Sequence, residues 1–289
     1  MPDRIQLRCF GPFSFRARIL FASTLALAVC AAAAGQSGAG PNPLPDSGFD
    51  SLPDAPLPQS ADAGKPAGKD SVTLRNTPVH ILKDQAAIWT SPARLREHDL
   101  AYLVPLALAT TVTITADHQV MSSSKLDNAS LNHDANLASE GLLGGFVAAP
   151  VIVYGLGGIH HDAHATETGI LAGEAMVDSL VVDEVLKAAT MRERPTLDGA
   201  KGKFFQTSVG LDSSFPSTHS IVAWSSAAVI ASEYPGPMTE IAAYGLATGL
   251  SMTRILARQH FPSDVLVGSA VGWLVGRYVY HKHHRELED

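Results

Sequence analysis

Long stretches with few or no charged residues follow one another from about residue 78 to the C-terminus. Residues 100–116 and 142–159 carry no charge, and apolar residues in the later stretches recur at helical spacing. Gly and Pro clusters separate the stretches, and no alternating strand pattern is apparent. The sequence therefore predicts an all-α fold, a bundle of about six main helices. The predicted stretches are 79–89, 100–116, 142–159 (broken by Gly and Pro150), 166–190, 217–234, 238–259 and 262–283.

The composition agrees with a helical core and argues against one class of partner. Hydrophobic residues make up 46% of the chain but aromatic residues only 7%, which suits a core of Ala, Val and Leu side chains. The formal net charge of -7 makes the chain a poor nucleic-acid binder. Any anionic ligand must therefore be held by a local cationic pocket.

The N-terminal part of the sequence has the pattern of an export signal followed by a spacer. The basic residues that precede the apolar run 19–29 are Arg4, Arg8, Arg16 and Arg18, and small alanines follow the run. We predict a signal peptide at 1–34, a disordered Pro-rich spacer at 35–75 and a helical domain at 76–289. Cys9 and Cys30 both lie in the signal, so no disulfide is expected in the mature chain.

The apolar stretches leave two locations open. They are at or under the usual length of about 20 residues for a transmembrane helix, and several contain carboxylates or arginines, which are costly in lipid. We therefore expect an exported, periplasmic protein that is soluble or associated with the membrane. An integral inner-membrane protein with a periplasm-facing site is the alternative, and the sequence also leaves a homo-oligomer open.

The first of three polar clusters ends the stretch 166–190. Lys187 and Arg194 are seven residues apart, two helical turns, so both project from one face if the helix continues to Pro195. A lysine point charge and a planar guanidinium together suit a tetrahedral oxyanion. Taken alone, such a pair is more often a solvated basic helix end.

The second cluster marks the start of a helix. Pro216 and Ser217 precede an apolar run, which predicts Ser217 as the N-cap residue. Free amides at a helix N-terminus form an anion site, and His219 in the first turn would stand beside that anion. Taken alone, this pattern is an ordinary capped helix with a histidine near its start.

The third cluster sets Arg254 six residues before His260 and Asp264 four residues after it. Pro262 predicts a helix that begins just past His260, so Asp264 can reach back to the imidazole. A carboxylate bonded to one ring nitrogen fixes the tautomer and makes the other nitrogen more nucleophilic. Arg254, on the preceding helix, can point into the same space.

Taken together and in this order, the three motifs resemble those of the type 2 phosphatidic acid phosphatase and vanadium haloperoxidase superfamily. The resemblance covers residues 187–264. It implies an all-α fold that brings the motifs together, and a phosphatase that works through a phosphohistidine. In that scheme His260 is the nucleophile, Asp264 orients it, and His219 is the acid and base. The phosphate-binding residues that the resemblance implies are Lys187, Arg194, Ser217, Thr218 and Arg254.

Two positions depart from the family's motifs. Thr218 stands where the family usually has Gly, which keeps the backbone amide but narrows the pocket and restricts bulky substrates. Thr253 replaces the usual Ser and retains the hydroxyl, so little change is expected there. No metal-ligand set accompanies the phosphate cradle, and no cofactor is expected; the histidines at 160–164 match no standard metal spacing.

The predicted activity is therefore metal-independent hydrolysis of phosphate monoesters. The substrate stays open among a lipid phosphate, an isoprenoid pyrophosphate and a soluble ester. Within the same fold, a vanadate-dependent haloperoxidase is the alternative. A catalytically silent exported binding protein is a further alternative. Against it, six ionisable residues of the motifs are intact, namely Lys187, Arg194, His219, Arg254, His260 and Asp264.

Overall fold

The structure, a computed structural model, describes residues 72–210 and 212–284. The predicted signal peptide and nearly all of the predicted spacer lie outside these residues. Within them the chain is all-α, as predicted, with seven α-helices, two short 3-10 turns and no strand. The helices are α1 (Thr77–Thr90), α2 (Glu97–Met121), α3 (Ala129–His160), α4 (Ala163–Thr190), α5 (Thr218–Glu233), α6 (Pro237–Leu256) and α7 (Pro262–His283).

The third helix is longer than the sequence predicted. α3 begins at Ala129, where the Asn128 side chain accepts hydrogen bonds from the amides of Ser130 and Leu131, both at 3.1 Å. It also continues through Pro150, so the predicted interruption is wrong. Proline removes one backbone hydrogen bond, but α4 packs tightly against this part of α3 and supports it. A Cβ atom at Gly169 on α4 would lie only 2.6 Å from the Pro150 carbonyl oxygen.

The centre of the bundle is α5, whose apolar residues are almost all buried. Small side chains such as Ala223 and Ala227 let α4, α6 and α7 approach it closely. On α7 the contact requires Gly272, because a Cβ atom there would lie 2.3 Å from the Ile221 carbonyl oxygen. This close packing fixes the relative positions of the helix ends.

Among the described residues, two helices are long and apolar enough to cross a membrane by length and composition. Asp99–Met121 has a mean hydropathy of 1.5, and Ala129–His160 one of 1.9. The apolar window of the first is not buried by the rest of the protein at all, and only 17% of the second is. Large apolar side chains along α2, including Tyr102, Leu108 and Val112, are exposed. Continuous apolar surface of this kind marks an interaction face.

The direction of the helices brings the three motifs to one end of the bundle. The C-terminal ends of α4 and α6 meet the N-terminal ends of α5 and α7 there. Lys187 on α4 bonds to Thr218 on α5, and the Ser217 amide donates to the Asp264 carbonyl on α7 at 3.1 Å. Residues that are far apart in the sequence therefore form one polar cluster.

Candidate active site

The helix that carries Lys187 ends at Thr190, where the predicted stretch 166–190 also ends. Met191 adopts a left-handed conformation with φ of 40°, and its amide bonds back to the Lys187 carbonyl, which ends α4. A shared helical face for Lys187 and Arg194 required the helix to continue to Pro195, and this condition is not met. Arg194 reaches the cluster from the loop between α4 and α5. The turn at Met191 also allows Arg192 to point into the protein interior.

Lys187 is buried at the end of α4 and is held by its neighbours. Its Nζ atom lies 2.5 Å from Thr218 Oγ1 and 3.0 Å from Asp183 Oδ2. Thr218 Oγ1 donates to the same Asp183 oxygen at 2.7 Å. Thr218 therefore orients Lys187 as well as occupying space in the cluster. The sequence analysis, which noted only that the family usually has Gly at this position, did not predict this contact.

The N-terminus of α5 presents backbone amides to this cluster. Ser217 is the N-cap residue, as predicted, and the first amide bonded within the helix is that of Ile221, which donates to the Ser217 carbonyl at 3.0 Å. The amides of residues 218–220 therefore point out of the helix end, where the helix dipole favours negative charge. The Ser217 hydroxyl is fully buried and accepts from Ser220 Oγ at 3.2 Å instead of capping the helix. Its contact with a phosphoryl oxygen stays a prediction.

His219 lies in the first turn of α5, beside Glu140 and Arg254. Its Nε2 atom is 3.3 Å from Glu140 Oε1, and Arg254 Nη1 is 3.5 Å from the same oxygen. Burial and the charge of Arg254 lower the pKa of His219 to about 4, although Glu140 opposes this shift. An incoming phosphate would act in the same direction as Glu140 and favour the protonated imidazole.

Two arginines converge on His260. Arg254, buried near the end of α6, donates to Ser139 Oγ at 2.7 Å, and Arg194 donates to Asp212 Oδ1 at 2.7 Å. Burial, followed by the charges of Arg254 and Arg194, lowers the pKa of His260 well below its usual range. His260 is therefore an uncharged imidazole surrounded by cations, which suits a nucleophile that must meet an anion.

The imidazole of His260 is held by a backbone carbonyl rather than by Asp264. Nδ1 lies 2.7 Å from the Ser214 carbonyl oxygen, so Nδ1 carries the proton and the Nε2 lone pair is available. The nearest oxygen of Asp264 is 3.8 Å from Nδ1, which is too far for a hydrogen bond. The predicted direct bond is therefore wrong. Asp264 Oδ2 instead accepts from the Ser214 hydroxyl and from the Phe261 amide, and so acts on His260 through Ser214.

Arg192 completes this support, and it was not singled out from the sequence. Its guanidinium is buried and donates to Asp264 Oδ1 at 2.5 Å, to Asp117 Oδ2 at 2.7 Å and to Ser263 Oγ at 2.7 Å. Its charge also lies 4.1 Å from the centre of the Phe261 ring. Burial raises the pKa of Asp264 to about 7, against the charge of Arg192. Arg192 thus stabilises the carboxylate beneath the nucleophile rather than contacting the open cluster.

Four supporting residues were missed for different reasons. Asp183 lies four residues before the first motif and Arg192 lies inside it. Several charged residues follow one another there, and the sequence does not indicate which side chain points into the protein. Glu140 and Ser214 lie outside every motif. Only the packing of α3 and of the loop before α5 brings the Glu140 side chain to His219 and the Ser214 carbonyl to His260.

The assembled cluster has the components that phosphoryl transfer requires. Three cations and a helix N-terminus surround a neutral imidazole, and a second imidazole stands beside them. Such a site can neutralise phosphoryl oxygens and divide the nucleophile and acid-base roles between two histidines. The residues brought together are Lys187, Arg194, Ser217, Thr218, His219, Arg254, His260 and Asp264.

Comparisons with known proteins agree with this arrangement. Residues 168–288 match the PAP2 superfamily, and the match includes all eight predicted site residues. Lipid A 1-phosphatase of Porphyromonas gingivalis is 39% identical over 69 residues, which cover 23% of this chain and only 16% of that relative. No solved structure matches the chain. The resemblance found in the motifs is therefore confirmed, and residues 168–288 are a PAP2 superfamily domain.

Proposed function

We propose that this chain is a metal-independent phosphatase that removes the phosphate monoester of a lipid through a phosphohistidine at His260. The observation that carries the proposal is the state of His260. Its Nδ1–H donates to the Ser214 carbonyl at 2.7 Å, and its Nε2 lone pair is available as the nucleophile among cations. The PAP2 superfamily match supports the reaction class.

In the first step the Nε2 lone pair of His260 attacks phosphorus, and the bond from phosphorus to the lipid oxygen breaks. His219, protonated beside the bound phosphate, gives its proton to that oxygen, so the lipid leaves as an alcohol. Lys187, Arg194 and Arg254 offset the charge on the three remaining phosphoryl oxygens. The positive charge on the phosphorylated imidazole is stabilised by the Ser214 carbonyl and by Asp264 at 3.8 Å.

In the second step water attacks the phosphohistidine. His219, now neutral, takes a proton from the water, and the phosphorus–nitrogen bond breaks. Inorganic phosphate leaves, and His260 returns to its neutral form with Nδ1 still bonded to the Ser214 carbonyl. Glu140, 3.3 Å from His219 Nε2, orients the imidazole when no phosphate is bound.

A lipid is favoured as the substrate because an apolar groove is lined by residues that neighbour two of the site residues in the sequence. A groove of about 560 Å³ is lined mostly by apolar side chains of α2, α5, α6 and α7. Its wall includes Ile255 and Pro262, which are one residue from Arg254 and two residues from His260. The exposed apolar face of α2 would hold the protein against a bilayer. The P. gingivalis relative is named for a lipid substrate, which supports the same choice.

The test is a substrate panel on the purified full chain in mixed micelles with EDTA present. Phosphatidate, lipid A, undecaprenyl pyrophosphate and p-nitrophenyl phosphate are compared by phosphate release. We expect turnover in EDTA, inhibition by vanadate, and kcat/KM higher for a lipid phosphate than for p-nitrophenyl phosphate. His260→Ala is the control for contaminating phosphatase.

Two results would contradict the proposal. Activity that is lost in EDTA and restored by a divalent metal, at a temperature where the protein stays folded, would exclude the metal-independent mechanism. Vanadate-dependent oxidation of bromide by peroxide without phosphate release would favour a haloperoxidase.

A further inference from the structure

A second polar cluster lies far from the motifs, where α1 and the C-terminal end of α7 pack against the middle of α4. Its acidic members are Asp84, Glu174 and Asp178, and its histidines are His80 and His283. Glu174 is 13 residues before Lys187 on the same helix, about 20 Å along its axis. All three carboxylates are buried. The cluster therefore has no part in the proposed phosphatase chemistry.

Three of these side chains bring ligand atoms close to one another. Nitrogen atoms of His80 and His283 and an oxygen of Glu174 lie within 4.8 Å of one another. Glu174 Oε1 is 3.4 Å from His283 Nε2, and Glu174 Oε2 is 3.7 Å from His80 Nδ1. The two imidazole rings are stacked, with centres 4.5 Å apart and planes 11° apart. Because ring-nitrogen lone pairs lie in the ring plane, at least one of these parallel rings must rotate before both can bind the same ion.

Within the described residues, Glu174 lies beside Asp84 without hydrogen bonds that would stabilise its charged form, and burial, followed by the charges of Asp84 and Asp178, raises its pKa to about 8. Its side chain is completely inaccessible to solvent, yet neither oxygen accepts a hydrogen bond within residues 72–210 and 212–284. Asp178 Oδ2 is also without one in the same part of the chain. Buried carboxylates are normally hydrogen-bonded, paired with a cation or bound to a metal. The nearby Lys282 does not fill this role, because its ammonium group is bonded to Asp84 and to Tyr278 Oη.

We propose that His80, Glu174 and His283 bind a divalent transition-metal ion, with Zn²⁺ the best match to two imidazoles and one carboxylate. Zn²⁺ prefers such nitrogen and oxygen ligands at about 2.0–2.2 Å, so binding requires one imidazole ring to turn out of the stack and bring its nitrogen to the ion. His283 Nε2 is hydrogen-bonded to Asp84 Oδ2 at 2.8 Å, so the ion would take the place of the proton between them, with the Asp84 carboxylate beside it as added negative charge. This site is independent of the proposed function.

The ion would fasten α1 to the bundle. His80 lies on α1, Glu174 on α4 and His283 in the last turn of α7, so one ion links three helices. Few residues of α1 are buried, and those are the two cluster members His80 and Asp84. A metal that binds only the folded protein raises its stability by mass action. The expected consequence is thermal stabilisation, with no direct effect on phosphate chemistry.

The test uses the full chain without a histidine tag, stripped with chelator and dialysed. Zn²⁺ is titrated by calorimetry, and Tm is measured with and without Zn²⁺ at about 100 times the Kd. We expect about one Zn²⁺ per chain and a rise in Tm of about 5 °C or more. Glu174→Gln and His80→Ala should each weaken binding by at least about 10-fold and remove the rise in Tm. His281→Ala is the matched control, because this exposed histidine on α7 lies outside the cluster; it should bind Zn²⁺ as the wild type does.

The proposal is wrong if Zn²⁺ does not change the Tm of the wild type, or if Glu174→Gln keeps the full change. The first result would mean that Glu174 is neutralised by a proton instead. If the variants fail to fold, Co²⁺ added to the wild type decides the question. Visible absorption without a thiolate band supports a nitrogen and oxygen site, whereas no absorption, or a band from Cys9 or Cys30, contradicts it. None of these measurements depends on phosphatase activity.

Discussion

The two polar clusters of the bundle have opposite charge and the same supporting helix. At the C-terminal end of α4, Lys187 joins Arg194 and Arg254 around an uncharged His260. In the middle of α4, Glu174 and Asp178 lie with Asp84 among two histidines. The first cluster is a set of cations suited to an anion. The second is a set of carboxyl groups suited to a cation, and burial raises the pKa of Glu174 to about 8 in the absence of one.

The two clusters differ in how their buried charges are stabilised. Asp264, beneath the cationic cluster, accepts from Arg192, from the Ser214 hydroxyl and from the Phe261 amide. Glu174, in the acidic cluster, accepts no hydrogen bond from the described residues. The cationic cluster is therefore complete before its ligand binds, and the acidic cluster is not. This difference predicts opposite responses to mutation in the two clusters.

The largest expected effect is the loss of one cation from the proposed phosphate cradle. Arg254→Gln should lower kcat/KM by about 10³-fold, because an arginine that offsets transition-state charge contributes on this scale. Steady-state kinetics with the preferred lipid measures the loss. Arg258→Gln is the matched control, since Arg258 is only four residues away but is paired with Asp127 at 2.5 Å. Equal losses in the two variants would mean that Arg254 has no special place in the cradle.

The next prediction compares how one substitution in each cluster changes the free energy of unfolding. Asp264→Asn weakens the pairing of the buried Arg192 and should lower the free energy of unfolding by about 3 kcal/mol or more. Glu174→Gln in chelator-treated protein replaces a carboxyl group whose charged form is disfavoured by burial, and should leave that free energy unchanged or higher. Urea unfolding at neutral pH measures both. A large destabilisation by Glu174→Gln would show that its carboxylate is already satisfied.

A smaller effect concerns the pH dependence of the first step. Glu140 raises the pKa of His219 against the lowering by burial and Arg254, so Glu140→Gln should lower this pKa further. A general acid works in its protonated form, so the alkaline limb of kcat/KM should move to lower pH in the variant. The profile is measured with a substrate whose leaving group is poor. Glu184→Gln, which removes a carboxylate of similar exposure that lies 3.7 Å from Lys187, should leave the limb in place.

If the limb does not move in Glu140→Gln, His219 is not the acid whose titration controls the rate. A shift to higher pH would also contradict the assigned role of Glu140.

The smallest effect tests the residue that replaces the family's glycine. Thr218→Val removes the hydroxyl that bridges Lys187 and Asp183, and should lower kcat/KM by about five-fold, the equivalent of one hydrogen bond of about 1 kcal/mol. Thr218→Ser keeps the hydroxyl and should remain close to the wild type. Equal activity in the two variants would show that Thr218 only fills space.

The sequence was informative where the chemistry is local and less so where it depends on packing. The helical spacing of the apolar residues predicted the all-α fold, and the three motifs predicted the cationic cluster because each motif occupies a few consecutive turns. The hydrogen bond from His260 to the Ser214 carbonyl was not predictable, because it involves a backbone atom 46 residues away.

The acidic cluster shows the same limit more clearly. His80 and His283 are separated by nearly the whole described chain, and no spacing rule connects them with Glu174. The interruption predicted at Pro150 was wrong because residue preferences do not include the support that α4 gives to α3 at Gly169. In each case the deciding contact is between helices.

The central claim is that His260 carries the phosphoryl group. Rapid-quench labelling with a ³²P-labelled substrate tests it on the wild type, His219→Ala and His260→Ala. His219→Ala should slow the hydrolysis of the intermediate, since the same residue activates water, and should therefore accumulate label that is stable to base and lost in acid. His260→Ala should show none. Label retained on His260→Ala, or no label on the wild type or His219→Ala while phosphate is released, would contradict the account.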